Sequence, residues 1–205
     1  MSGFDYFGNR LGLVWAYYNS PDDKRIDVQL AGSSDGQSWQ RLLNRETLLP
    51  NGPKASWDAG EVLPPSVPLL SPLQPDRLLF YYGGCNVRHD DMRYQELCIG
   101  LATLRLDGFA AMRAGFFPGA LRTSVLKATG ETLHVNLDAA QGGLSVDLVD
   151  AESETVLASA EPIKEKDSTA LQIVWQSAPP PIAGRRVRLV FRLHRAAIYA
   201  FWFGS

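Results

Sequence analysis

Short apolar–polar alternations closed by Gly, Pro, Asn and Asp turns run along nearly the whole chain, and this pattern limits it to strands. Residues 11–18 are rich in aromatic and branched side chains and end at the turn cluster Asn19-Ser20-Pro21-Asp22-Asp23. Ile26-Asp27-Val28-Gln29-Leu30 alternates apolar with polar, which fits a strand buried on one face. No stretch of the first half keeps apolar residues at helical spacing between proper caps. The expected class is all-β.

The same grammar then recurs. Residues 78–82 match 13–18 in character, 97–102 match 26–31, and Asp107-Gly108-Phe109 answers Asp35-Gly36 and Trp39. Tyr81 follows Tyr17 by 64 residues, and Asp107 follows Asp35 by 72. That period exceeds the roughly 40–50 residues of common propeller blades, yet it suits a blade of four antiparallel strands with one long loop. Superposition of the units is expected to bring Tyr17 onto Tyr81 and Ala31 onto Ala102. Because a closed propeller takes about 4–8 blades, two units read as a partial propeller: either the end of a longer protein whose N-terminal blades are missing here, the favoured reading, or a portion that pairs with another copy.

Beyond about residue 110 the pattern changes to clean alternation at 133–137, 144–148, 171–175, 187–193 and 198–203. Turns such as Gln141-Gly142-Gly143 separate these runs, which is the signature of an antiparallel β-sandwich. His134, Asn136, Ser145, Asp147, Arg188 and Arg192 are expected on its outer face. The expected division is 1–110 for the partial propeller and 111–205 for the sandwich, with an accessible linker near 111–119.

Composition narrows the partners. The net charge is −2 and the Lys and Arg residues are scattered, so no basic stripe for nucleic acid is expected. No apolar run approaches the ~18 residues of a membrane span. Met1-Ser2-Gly3-Phe4-Asp5-Tyr6 lacks the basic and apolar regions of a secretory signal, which leaves the location open, export of a fuller form included. Cys85 and Cys98 flank one predicted hairpin loop and read either as two thiols or as a cross-strand disulfide. With no CxxC or HxxxH spacing, and no D-x-D-x-D-G loop after Asp90-Asp91, neither a metal nor a cofactor is expected.

Functional side chains concentrate in two loops. Residues 49–65 are too rich in Pro and Gly for regular structure, yet they carry Trp57, Asp58 and Glu61. Asp58 reads either as a pocket carboxylate or as a turn residue before Gly60, and Glu61 as a second carboxylate or a solvated one. In Asn86-Val87-Arg88-His89-Asp90-Asp91, His89 suits hydrogen bonding to a hydroxyl or proton shuttling. Trp57 and Tyr82 offer aromatic faces.

The heptad Ser33-Ser34-Asp35-Gly36-Gln37-Ser38-Trp39 resembles the S-x-D-G-x-x-W turn of five-bladed propeller glycosidases, the invertase/levanase and arabinosidase/xylosidase relatives. It also approaches the sialidase Asp box but lacks one residue of that spacing. Asp35 is expected to fold back on backbone N–H groups, Gly36 to take the strained turn angle and Trp39 to plug the space between blades. Trp57-Asp58-Ala59-Gly60 and Tyr81-Tyr82-Gly83-Gly84, with His89 beyond, look like the D-x-G and Y-Y-G-G…H loops that face the pocket in closing blades. Residues 99–109 resemble the exit from such a propeller into a sandwich.

This resemblance implies a carbohydrate-active protein, the C-terminal portion of a glycoside hydrolase acting on an oligosaccharide or polysaccharide. Asp58 and Glu61 would be its catalytic carboxylates, and Trp57, Tyr82, Arg88 and His89 its substrate-binding residues. One departure matters: no W-M-N-D-P, R-D-P or E-C motif occurs. The early-blade acids are missing, and the chain is expected to be incomplete as an enzyme on its own. The alternative is a non-catalytic carbohydrate-binding or interaction module.

Overall fold

The computed structural model describes residues 1–63, 67–91 and 96–204. The chain is all-β: strands take up 58% of it and helix 2%, so only sheet can cover sheet. It divides into two compact units, Met1–Phe109 and Ala110–Ser205.

Among the described residues the first unit is one curled, nine-stranded sheet. β1 (Ser2–Tyr6), β2 (Asn9–Tyr17) and β3 (Ile26–Ser33) form an antiparallel meander, with β4 (Gln40–Arg41) and β5 (Thr47–Leu49) on the far edge of β3. A second antiparallel set comprises β6 (Glu61–Leu63), β7 (Leu69–Leu70), β8 (Arg77–Cys85) and β9 (Leu97–Arg105), all paired with β8. A parallel pairing of Ile26 with Glu61 joins the two sets. Leu13, Val28 and Leu30 from the first set and Val62, Leu78 and Phe80 from the second fill the core with Phe109. Part of the stretch expected to be irregular is therefore a strand, because Glu61–Leu63 borrows a partner in β8. Pro64 and Pro65 lie outside the described residues.

The two sets repeat, but not in the expected register. Ala31 pairs with Gly12 and Ala102 with Phe80. Placing Ala31 on Ala102 therefore carries Tyr17 onto Cys85 rather than Tyr81. The unequal hairpin loops absorb the difference. A second correction concerns β3, which is buried on both faces. Asp27 and Gln29 are as enclosed as Val28 and Leu30, at 1–3% exposure, because polar partners rather than water cover that side.

The turn after β3 forms as its chemistry dictates. Asp35 Oδ1 accepts the N–H groups of Gln37 (2.8 Å) and Ser38 (2.7 Å) and the Ser33 hydroxyl (3.0 Å), and Gly36 takes φ +76°. Trp39 does not plug a gap between the two sets. It lies over Gly3 and Gly12 of β1 and β2, where missing side chains leave room for the ring.

The second unit is an eight-stranded sheet that curls until it is nearly closed. Its strands are β10 (Met112–Ala114), β11 (Gly119–Arg122), β12 (Leu126–Lys127), β13 (Thr132–Asp150), β14 (Val156–Ser159), β15 (Ile163–Gln172), β16 (Arg186–His194) and β17 (Ala196–Gly204). β13 is the spine, pairing with β15 and β17 along its first half and β14 and β16 along its second. Gln141-Gly142-Gly143 is thus a kink inside one strand and not a turn between two. A side chain at Gly142 would strike the His194 and Arg195 carbonyls, so glycine is needed there for close approach.

Phe191, Leu193 and their neighbours form the buried core, with Trp175 partly buried against it. Arg192 is exposed and bonds Asp147 at 2.6 Å. Asn136, expected outside, is fully buried because the register slips between it and Leu137 and turns both inward. The expected linker also changes: Phe109 sits in the first core, and Met112 already pairs with β17 of the second unit.

Candidate functional site

Two loops of the first unit, residues 50–60 and 86–91, wall a cleft of about 1310 Å³, and each is pinned from behind. In the first loop, Trp57 turns toward the sheet and stacks on Tyr82, with ring centroids 5.6 Å apart and planes 22° apart. The indole lies over Gly84 and Gly100. A Cβ at Gly100 would sit 2.6 Å from the indole and 2.7 Å from the Tyr82 ring. Two successive strands therefore carry glycine where one tryptophan must lie flat.

Next to this stack the Asp58 carboxylate is buried and satisfied. Its Oδ1 accepts the Ser56 hydroxyl at 2.6 Å and its Oδ2 the Tyr82 hydroxyl at 2.9 Å. Burial first, then the hydrogen bond and charge of Asp58, push the Tyr82 hydroxyl up to about 12. Tyr82 accordingly stays a donor at neutral pH, and Asp58 acts as an internal clasp that fixes the loop to β8.

The second loop is held by a different carboxylate. His89 Nδ1 and Glu61 Oε1 share a hydrogen bond of 3.0 Å. The imidazole meets Tyr17 edge to face at 5.3 Å, and the His89 N–H donates to the Lys24 carbonyl at 3.2 Å. The loops meet where Gly60 passes Val87, so closely that any Cβ at Gly60 would collide with the Val87 carbonyl.

The floor is a polar network that sequence reasoning missed. Asp27, 2% exposed, lines the cleft; its Oδ2 accepts the hydroxyls of Thr47 (2.7 Å) and Tyr18 (2.9 Å). Gln29 donates to the Tyr18 hydroxyl at 3.1 Å and accepts from Arg41 at 3.2 Å. Asp27 Oδ1, enclosed alongside, takes no hydrogen bond from any described residue. A buried carboxylate oxygen without a donor is costly, which marks this position as more than packing. Strand alternation placed Asp27 on a polar face and gave no sign that other chain would cover it.

Of the six residues singled out from sequence, Arg88 lines the cleft. Trp57, Asp58, Glu61, Tyr82 and His89 instead form the two clasps behind its walls. The structure thus brings Asp58 to Tyr82 and Glu61 to His89. Residues of the same loops that carried no motif, Asn51, Lys54 and Asn86, line the cleft. Among the described residues no group of three or more His, Cys, Asp or Glu side chains is placed to hold a metal ion, and no helix is long and apolar enough to cross a membrane.

No protein-family model matches the chain, and no curated protein matches it. Among solved structures, the chain is similar to a glycoside hydrolase family 43 arabinoxylan arabinofuranohydrolase from Bacillus subtilis in complex with cellotetraose, at 10% identity and a TM-score of 0.27. The match covers all of this chain and 53% of that one, so the chain spans about half the length of the structure it resembles. A likeness this remote assigns no family.

Proposed function

We propose that the chain is carbohydrate-active, the sugar-holding portion of a glycoside hydrolase-type protein, and that the cleft between loops 50–60 and 86–91 binds an oligosaccharide. The cleft carries this reading. Its volume of about 1310 Å³ exceeds the roughly 300–1,000 Å³ typical of small-molecule pockets, which suits several linked rings. Asn51, Asn86, Arg25, Arg88 and Asp27 line it with planar amide, guanidinium and carboxylate groups. Asn51 Nδ2 donates to the Ile26 carbonyl and Asn86 Oδ1 accepts the Glu96 N–H, and the other end of each amide can exchange hydrogen bonds with neighbouring hydroxyls. Walls braced by the Trp57–Tyr82 stack and the Glu61–His89 bond keep the groups in place before the ligand arrives, which lowers the ordering cost of binding.

Hydrolysis needs a pair of carboxylates across the bond. Asp58 and Glu61 remain the residues to test for that role in the fuller protein, although both Asp58 oxygens are already engaged.

The test is calorimetric titration of the chain with neutral and acidic oligosaccharides of about four rings, repeated on Asn51→Ala, which lines the cleft, with circular dichroism as the folding check. Saturable binding to at least one sugar, weakened about tenfold or more in the variant, is the expected result. No binding to any member of the panel overturns the reading. Turnover by the chain that disappears in Asp58→Asn or Glu61→Gln while binding persists would move those carboxylates from clasp to catalysis.

A further inference from the structure

The geometry points to an acidic carbohydrate as the ligand of this cleft: an oligosaccharide whose ring carboxylate, of the uronate type, is held between Lys54 and Arg88. The inference rests on the reading of the cleft as a sugar site and adds the charge of the sugar.

Most charged groups along the cleft are already committed. Arg25 pairs with Asp23 at 2.9 Å and lies 4.1 Å over the Tyr18 ring. Asp90 pairs with Lys24 at 3.7 Å. Asp27 is occupied on one oxygen by two hydroxyls and enclosed on the other, and Asp91 has a partner of its own. Lys54 and Arg88 remain. Both line the cleft, both are exposed, and neither meets a carboxylate among the described residues. They come from opposite walls, Lys54 from the loop clasped by Asp58 and Arg88 from the loop clasped by Glu61.

A cleft whose uncommitted charges are both positive favours an anion. The two side chains also divide the work: a guanidinium grips a carboxylate through two parallel hydrogen bonds, and an ammonium adds a mobile point charge. Arg88 sits beside His89, whose ring and backbone are tied to Glu61 and Lys24, so its base is fixed. Two cations neutralise one carboxylate comfortably but fall short of a polyphosphate. The amides of Asn51 and Asn86 are left for the hydroxyls.

The experiment compares matched ligands that differ only in charge: tetragalacturonate and tetraguluronate, each against its carboxyl-reduced neutral counterpart, titrated into the intact chain. At least one acidic member is expected to bind about tenfold tighter than its reduced partner, with the preference shrinking as salt rises. In Lys54→Gln and in Arg88→Gln that preference should fall to within roughly twofold while the reduced sugar still binds. Both positions are exposed, and a thermal melt confirms that the variants fold. Equal affinity for acidic and reduced forms, or a preference that survives both substitutions, overturns the inference and leaves the sugar-site reading standing. Failure of every sugar, acidic or neutral, to bind overturns that reading, and this inference with it.

Discussion

Gly100 shows how closely one residue can decide the shape of the cleft. Its Cα faces the indole of Trp57, and a methyl group there would meet Trp57 at 2.6 Å and Tyr82 at 2.7 Å. Both neighbours are rings stacked on each other and cannot turn aside without opening the loop. Gly100→Ala is therefore expected to destabilise the first unit by about 1–3 kcal/mol, the usual cost of overpacking. Urea denaturation followed by tryptophan fluorescence measures this, and an unchanged midpoint would show that the stack is not held by its glycine floor. The same residues show what sequence can and cannot tell about a site. Trp57, Asp58, Tyr82 and His89 stand out in a one-dimensional reading because aromatic and charged residues in Gly-rich loops attract notice. Side-chain direction is not written in a loop: here Trp57, Asp58 and Tyr82 turn toward one another as a clasp, and His89, itself exposed, turns to Glu61. The residues turned to the cleft, Asn51 and Lys54 among them, sit in no motif and needed the backbone to be placed.

At the level of elements, strands were legible wherever alternation and turn chemistry agreed. β2, β3, β8 and β9 all fall where the pattern put them. Pairing was harder to read, since a strand's neighbours depend on chain far away in sequence. β13 looked like two strands because Gly142-Gly143 reads as a turn, although both glycines serve close packing inside one strand. Register also settles the cysteines. Cys98 pairs with Gly84 while Cys85 pairs with Leu97, so the two thiols point to opposite faces of the hairpin and cannot form a cross-strand bond. Cys98 is exposed and Cys85 buried. An aromatic disulfide reagent should thus label one thiol at once and the second only after denaturation; two fast thiols, or none, would contradict this register.

The turn after β3 yields a pH dependence. Hydrogen bonds from the Ser38 and Gln37 backbone, with the Ser33 hydroxyl, hold the Asp35 carboxyl at about 2 against an ordinary 3.8. A depressed carboxylate stabilises the fold above its unfolded value, and that contribution disappears as pH falls from about 4 to about 2. The urea midpoint of the parent should accordingly exceed that of Asp35→Asn at pH 7 and converge on it near pH 2. A gap that persists at pH 2 would mean that the loss in the variant comes from something other than ionisation.

The whole molecule has two cores of unequal size. Among the described residues, nineteen buried side chains form the cluster of the second unit and seven that of the first, with no member in common. Apolar burial stabilises in rough proportion to area. The first unit also places large apolar side chains on its surface, with Leu97 at 69% and Ile99 at 82% exposure on β9, a strand that among the described residues pairs with β8 alone. The sequence reading counted two repeats as too few to close a propeller; the unit they form has the smaller buried cluster of the two. The position at which the pattern changes, near residue 110, was legible because helix-free alternation becomes cleaner there. The absence of a long linker was not, since Met112 joins β17 through backbone pairing that composition does not reveal. Calorimetry of the intact chain should then show two transitions, the first unit melting below the second. Leu13→Ala should lower the first transition by about 2–5 kcal/mol and leave the second in place, while Phe191→Ala should lower the second by about 3–5 kcal/mol. Leu13 and Phe191 are both nearly inaccessible, at 1% and 0% exposure, so each substitution opens a cavity in one core only. A single transition that both substitutions shift together would show that the two units fold as one.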